Sequence, residues 1–147
     1  MSVRHILYAS DLSAASRRAF RTALDMATAL HAKLTIAYVL VPLAPTVPDQ
    51  YIDADTLNRF DRQAREWART QLDRLAGATK KAGVRGTTLL LDGDPVEQIV
   101  RTGKTKRADL IVMGTHGRRG LPKFFLGSVA ERVVSRASCP VLTVRGE

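Results

Sequence analysis

The chain reads as an α/β protein with a doubly wound, five-stranded parallel sheet and helices on both faces. Three observations predict this. Short apolar runs at 3–9, 33–41, 84–91, 108–113 and 141–144 have the length and composition of strands. The segments between them place apolar residues at helical spacing. The resulting β-α-β-α-β-α-β-α-β series implies parallel strands joined by right-handed crossovers.

Taken in order, Val3 to Ala9 forms the first strand, and Ser10-Asp11-Leu12-Ser13 marks a turn. Ser13 is the expected N-cap of a helix running to His31, with Ala15, Ala19, Ala23, Met26, Ala27 and Leu30 near helical spacing. Lys33 to Val41 is the second strand, after which Pro42, Pro45 and Pro48 impose an extended loop. From Asp53 to Ala82 the spacing predicts one long amphipathic helix. Leu57, Phe60, Ala64, Trp67, Gln71 and Leu75 make its expected core stripe, flanked by Leu72, and Gly83 stops it.

Val84 to Leu91 is the third strand. Asp94-Pro95-Val96-Glu97 then combines an N-cap Asp, Pro at the first helical position and Glu at the third, which starts a helix expected to fray near Gly103 to Lys106. Ala108 to Met113 is the fourth strand, Ser128 to Ala137 the last helix and Val141 to Val144 the last strand, entered through Pro140. No repeat, low-complexity tract or linker divides the 147 residues, so one domain spanning 1–147 is expected.

Composition narrows the class. Hydrophobic residues make up 45% and charged residues 25%, as in ordinary soluble domains. No stretch approaches the ~20 apolar residues of a membrane helix, and the first residues lack a secretory-signal pattern. The single cysteine, Cys139, excludes an internal disulfide, fits a reducing cytosol and is expected to be a buried structural thiol. A cytoplasmic location follows. The net charge of +9 raises nucleic-acid binding, but the basic residues are spread along the chain and aromatics are only 5%. A solvated basic surface is the better account.

The chemistry concentrates at Gly114-Thr115-His116-Gly117, then nine residues, then Gly127-Ser128-Val129-Ala130-Glu131. A strand, a glycine-punctuated loop carrying His116, Arg118, Arg119 and Lys123, and a helix N-terminus present N–H groups and charge suited to phosphate. Neither a P-loop nor a dinucleotide fingerprint is present. Spaced glycines also have an ordinary use wherever a loop needs positive φ, and Ser128 has an ordinary reading as the cap of its own helix. Asp11 and Gly114 both end strands, so both can face the crevice where such sheets bind ligands. Asp11 has an ordinary role too, bonding its own turn.

The spacing G-x2-G-x9-G-S at 114–128 resembles the nucleotide-binding pattern of the universal stress protein family. Ile6 to Ser13, Gly93-Asp94-Pro95, Ala108 to Gly117 and Ser138 to Val144 are similar to other segments of that family, so the resemblance covers essentially the whole chain. It implies a Rossmann-like, adenine-nucleotide-binding domain of the ATP-binding type, acting in stress response and signalling. It also implies a homodimer paired through Val141 to Val144. By matching position, Asp11 would contact the adenine end and Val39 line the adenine pocket. Met113 and Gly114 would pass close to ribose and adenine, while Gly117, Gly127, Ser128 and Val129 would surround the phosphates. The cofactor implied is ATP with Mg2+, which Asp11 can help hold through the phosphates.

The catalytic reading is weaker. No G-x-S-x-G elbow frames Ser10, Ser13 or Ser128, and His5, His31 and His116 show no metal-site pairing. A nucleotide-binding protein is therefore expected rather than an efficient enzyme. The alternatives are a slow ATPase or autokinase using the same pocket, and a dimeric interaction protein that binds no nucleotide. The loop from Pro42 to Gln50 and the long helix after it are candidates for partner specificity.

Overall fold

The computed structural model describes residues 1–42, 53–115 and 127–146. Five strands form one sheet: β1 (His5–Ser10), β2 (Lys33–Leu40), β3 (Gly86–Asp92), β4 (Leu110–Gly114) and β5 (Val141–Val144). Their order is β3-β2-β1-β4-β5 and every pairing is parallel. Four helices connect them: α1 (Arg17–Leu30), α2 (Ala54–Lys81), α3 (Pro95–Thr105) and α4 (Ser128–Arg136). The chain winds outward from β1 to β3, then returns across to β4 on the other side of β1. The switch point therefore lies between β1 and β4.

β1 is buried along its whole length, which is why it reads as a continuous apolar run rather than an alternating one. Its side chains still divide by strand period. Ile6 and Tyr8 pack with Ala19, Phe20, Ala23 and Ala27 of α1 and Leu72 of α2. Leu7 and Ala9 pack with Val96 and Ile99 of α3 and Ala130 and Val133 of α4. The small residues at Ala19, Ala23 and Ala27, one helical turn apart, form the buried stripe of α1. The Tyr8 and Phe20 rings meet at 5.6 Å, tilted by 47°.

Several helix ends follow the expected chemistry. Asp53 Oδ1 accepts from Thr56 N at 2.7 Å, and Asp94 Oδ2 accepts from Glu97 N at 2.9 Å, with Pro95 opening α3. Gly83 follows α2 at a φ of +76°, the left-handed conformation of a helix stop.

Other expectations are corrected. Ser13 does not cap α1: a short 3-10 turn at Ala14–Ser16 intervenes, and the Ser13 hydroxyl donates to Asp11 instead. Ser128 does not cap α4 either; Gly127 holds the N-cap position and Ser128 is the first helical residue. α3 continues through Gly103 to Thr105 because Gly103 lets the helix pack on Ile111, whose Cδ1 lies 3.1 Å from where a Cβ would stand. On α2 the buried residues are Ala68, Leu72 and Thr79, whereas Phe60 and Trp67 are 45% and 43% exposed. The expected stripe thus lies along the flank of the helix that meets the sheet. Cys139 is half-buried rather than buried, packed at the margin of the α3–α4 core, and burial pushes its thiol pKa up. Strand limits differ by one or two residues: β1 starts at His5, β3 at Gly86 and β4 at Leu110.

Pro45, Pro48 and the rest of 43–52 lie outside the described residues, as do His116, Gly117, Arg118, Arg119 and Lys123. No described helix is long and apolar enough to cross a membrane.

Candidate functional site

At the switch point the α3–α4 face opens into a cleft of about 430 Å3, within the roughly 300–1,000 Å3 of small-molecule sites. Its sheet side is formed by Ala9 of β1, Ala37 and Val39 of β2 and Met113 of β4. Alanines at 9 and 37 leave space where bulkier residues would fill the layer. Pro95 and Ile99 of α3 and the first turn of α4 complete the walls.

One end is the turn after β1. Ser10 Oγ accepts from Leu12 N at 2.9 Å, and Asp11 Oδ1 accepts from both Ser13 N at 2.9 Å and Ser13 Oγ at 2.5 Å. Leu12 takes a φ of 60°, a left-handed conformation costing about 1–2 kcal/mol for a non-glycine residue. The turn role of Asp11 is thus realised, yet it occupies only one carboxylate oxygen. Oδ2 has no partner among the described residues, and Asp11 lines the cleft. Beneath the turn, the Tyr8 hydroxyl donates to Ser16 O at 2.9 Å and lies 3.2 Å from Ser10 Oγ; burial pushes its pKa up. The Ser16 hydroxyl donates in turn to Ser13 O at 2.8 Å. This buried network fixes where the Asp11 carboxylate stands.

The other end is built from backbone. Thr115 N donates to Val144 O at 2.9 Å, and Gly127 N donates to Thr115 O at 2.6 Å. Gly127 is therefore held against the end of β4, and α4 starts there with no side-chain cap. The N–H groups of Ser128, Val129 and Ala130 occupy the first turn, where a helix supplies no acceptor. All three residues line the cleft. The helix adds partial positive charge at this end, so the arrangement suits an anion.

The glycines here are not explained by backbone need. Gly127 has φ −61° and ψ 151°, which any residue adopts, and the described glycines with positive φ are Gly83 and Gly93, not Gly114. Both residues line the cleft, and with no side chain at 114 or 127 the backbone itself forms its surface there.

The cleft thus brings together Asp11, Val39, Met113, Gly114, Gly127, Ser128 and Val129, while Gly117 lies outside the described residues. It also includes Ser10, Ser16, Tyr38, Pro95, Ile99 and Thr115, to which sequence reasoning assigned no binding role. The Asp94-Pro95 helix start, at the carboxyl end of β3, was the available signal for Pro95 and Ile99.

Two histidines are elsewhere. His5 is buried in the first residue of β1, with Nδ1 3.0 Å from Lys106 O and Nε2 2.7 Å from Thr35 Oγ1. A carbonyl only accepts, so Nδ1 carries the proton and Nε2 accepts from Thr35. His31 is the left-handed C-cap of α1, at a φ of 54°. No group of three His, Cys, Asp or Glu side chains among the described residues is placed to hold a metal ion.

Fold and cleft define a doubly wound α/β domain with a cleft of small-molecule size at its switch point. The family model described as "Universal stress protein family" matches residues 2–145, and the chain belongs to that family. It is 35% identical over 143 residues to universal stress protein MJ0531 of Methanocaldococcus jannaschii, covering 97% of this chain and 82% of that one. The solved structure of MJ0577, from the same organism, superposes with a TM-score of 0.85 at 23% identity, covering 100% of this chain and 99% of that one. A universal stress protein solved in complex with cAMP superposes with a TM-score of 0.72 at 26% identity, covering 100% of both chains.

Proposed function

We propose that this universal stress protein binds ATP in the switch-point cleft and acts as a nucleotide-dependent module in stress response and signalling. The observation that carries the reading is the cleft's polarity. A carboxylate oxygen stands at the Asp11 end, apolar walls lie between, and the uncapped first turn of α4 closes the other end. An adenine base suits the apolar middle formed by Val39 and Met113, with Asp11 accepting from its amino group or from ribose. The phosphates suit Gly127, Ser128 and Val129, with Gly117 joining them from the loop. The adenine nucleotide bound by a relative supports this ligand class. Mg2+ would come with the phosphates, with the Asp11 carboxylate as the acidic group of the cleft.

The protein acts in the cytoplasm as a homodimer joined through Val141–Val144. β5 ends the sheet order, with β4 as its one strand neighbour among the described residues, so its outer edge suits addition of a second copy. Purification without added nucleotide, acid release and chromatography of the bound ligand test the reading. Stoichiometric adenine nucleotide supports it. An empty protein that also fails to bind ATP with Mg2+ refutes it and favours the dimeric interaction protein. Multiple turnovers lost in Asp11→Ala would instead favour the slow ATPase.

A further inference from the structure

On the opposite face of the sheet, a second cavity of about 220 Å3 lies between α2 and the start of α1. Leu12, Phe20 and Leu75 give it an apolar side; Ser13 and Gln71 give it neutral polar groups. Arg17 of α1 and Arg74 of α2 line it from separate elements.

The charge at this place is unbalanced. No Asp or Glu lines the cavity, and neither arginine has an ion-pair partner among the described residues. Arg65, nine positions before Arg74 on the same helix, shows the usual arrangement: it bridges Asp61 and Asp92. Both side chains are solvent-exposed, and together they leave this small cavity with a net positive lining that suits an anion. A guanidinium presents a planar fork of donors that matches phosphate and carboxylate oxygens.

We propose that this cavity is a second ligand site, taking a small molecule that carries an oxyanion group between Arg17 and Arg74. A compact apolar body would rest on Phe20 and Leu75. It has about half the volume of the switch-point cleft, which suits a ligand smaller than a nucleotide. The inference does not depend on ATP binding. Ser10 and Ser16 line both cavities, so the hydroxyl network under the Asp11 turn is the wall between them.

The test is NMR titration of the full chain with inorganic phosphate and, separately, with succinate, following backbone amides and arginine Nε–H resonances. The expected result is that the Arg17 and Arg74 Nε–H signals move together and saturate, with an apparent Kd of about 1 mM or below. Arg74→Ala, an exposed substitution, should weaken binding at least about tenfold as read at Arg17, with Arg74→Lys in between. Saturation by phosphate alone assigns a phosphate ligand, by succinate alone a carboxylate; either supports the site. Shifts that rise linearly without saturating, or that persist in Arg74→Ala, overturn it. So do saturable shifts confined to the Ser128 and Val129 amides, which would place the anion in the cleft on the other face.

Discussion

Substituting Gly127 by valine separates ligand approach from folding. Gly127 is buried, lines the cleft and immediately precedes the uncapped first turn of α4. Its φ of −61° and ψ of 151° lie where valine is comfortable, and its N–H bond to Thr115 O needs no side chain. The backbone part of the folding cost is therefore that of a poor N-cap residue, about 1 kcal/mol. The binding cost is larger. If the branched side chain keeps phosphate from the N–H groups of Ser128 and Val129, two hydrogen bonds to a charged acceptor are lost. At about 1.5–3 kcal/mol each, that is ~3–6 kcal/mol, or about 10²–10⁴-fold in Kd. Calorimetric titration with ATP and Mg2+ gives the affinity, and thermal unfolding followed by circular dichroism gives the stability. Gly127→Ala should fall between wild type and valine. A folded Gly127→Val protein with unchanged ATP affinity would show that phosphate does not pack against this residue.

Three further predictions concern the scaffold. Burial holds the His5 imidazole pKa below its ordinary 6.5, so the native state keeps the ring neutral while the unfolded chain binds the proton first. Stability is then complete above that value and lost as pH falls below it; urea midpoints at a series of pH values should show this, with a flatter profile in His5→Gln. A Cβ on Gly86 would stand 2.6 Å from Thr79 Cγ2, and Thr79 is fully buried with its hydroxyl bonded to Leu75 O, so Gly86→Ala should cost about 1–3 kcal/mol by chemical denaturation. Arg65→Ala breaks partly exposed ion pairs between α2 and the end of β3 and should cost no more than about 1 kcal/mol, shrinking as salt is raised.

The sheet and its helices were legible because apolar runs and helical spacing report one-dimensional facts: how long an element is and where it stops. Asp94-Pro95 and Gly83 act locally, and the structure uses them as read. What spacing does not report is how a helix is rolled against its neighbours. On α2 the apolar positions span a wide arc, and packing on the sheet selects Ala68, Leu72 and Thr79 while Phe60 and Trp67 remain at the edge. Ser13, read as a cap, and Ser128, for which capping was the ordinary alternative, do not cap for a related reason. Each sits beside a better-placed alternative: Asp11 takes the Ser13 hydroxyl, and Gly127 occupies the position before Ser128. For the cleft, residues flanking the β1 and β4 ends could be placed together from topology. Ile99 was harder to place: the Asp94-Pro95 start puts α3 after the carboxyl end of β3, but which of its residues faces the cleft depends on how the helix is rolled.

Thr115 commits both of its backbone groups, one to the outermost strand and one to the head of α4. The head of α4 is consequently anchored to the sheet's own ladder and is not a swinging gate. Enlarging that end of the cleft would mean unzipping the last rung between β4 and the chain beside it, so a ligand meets a platform whose ordering was completed during folding. Little entropy remains to be lost there on binding, and discrimination at that end falls to ligand shape and charge. The same anchorage makes any displacement of β5 at its Val144 end a displacement of the α4 head.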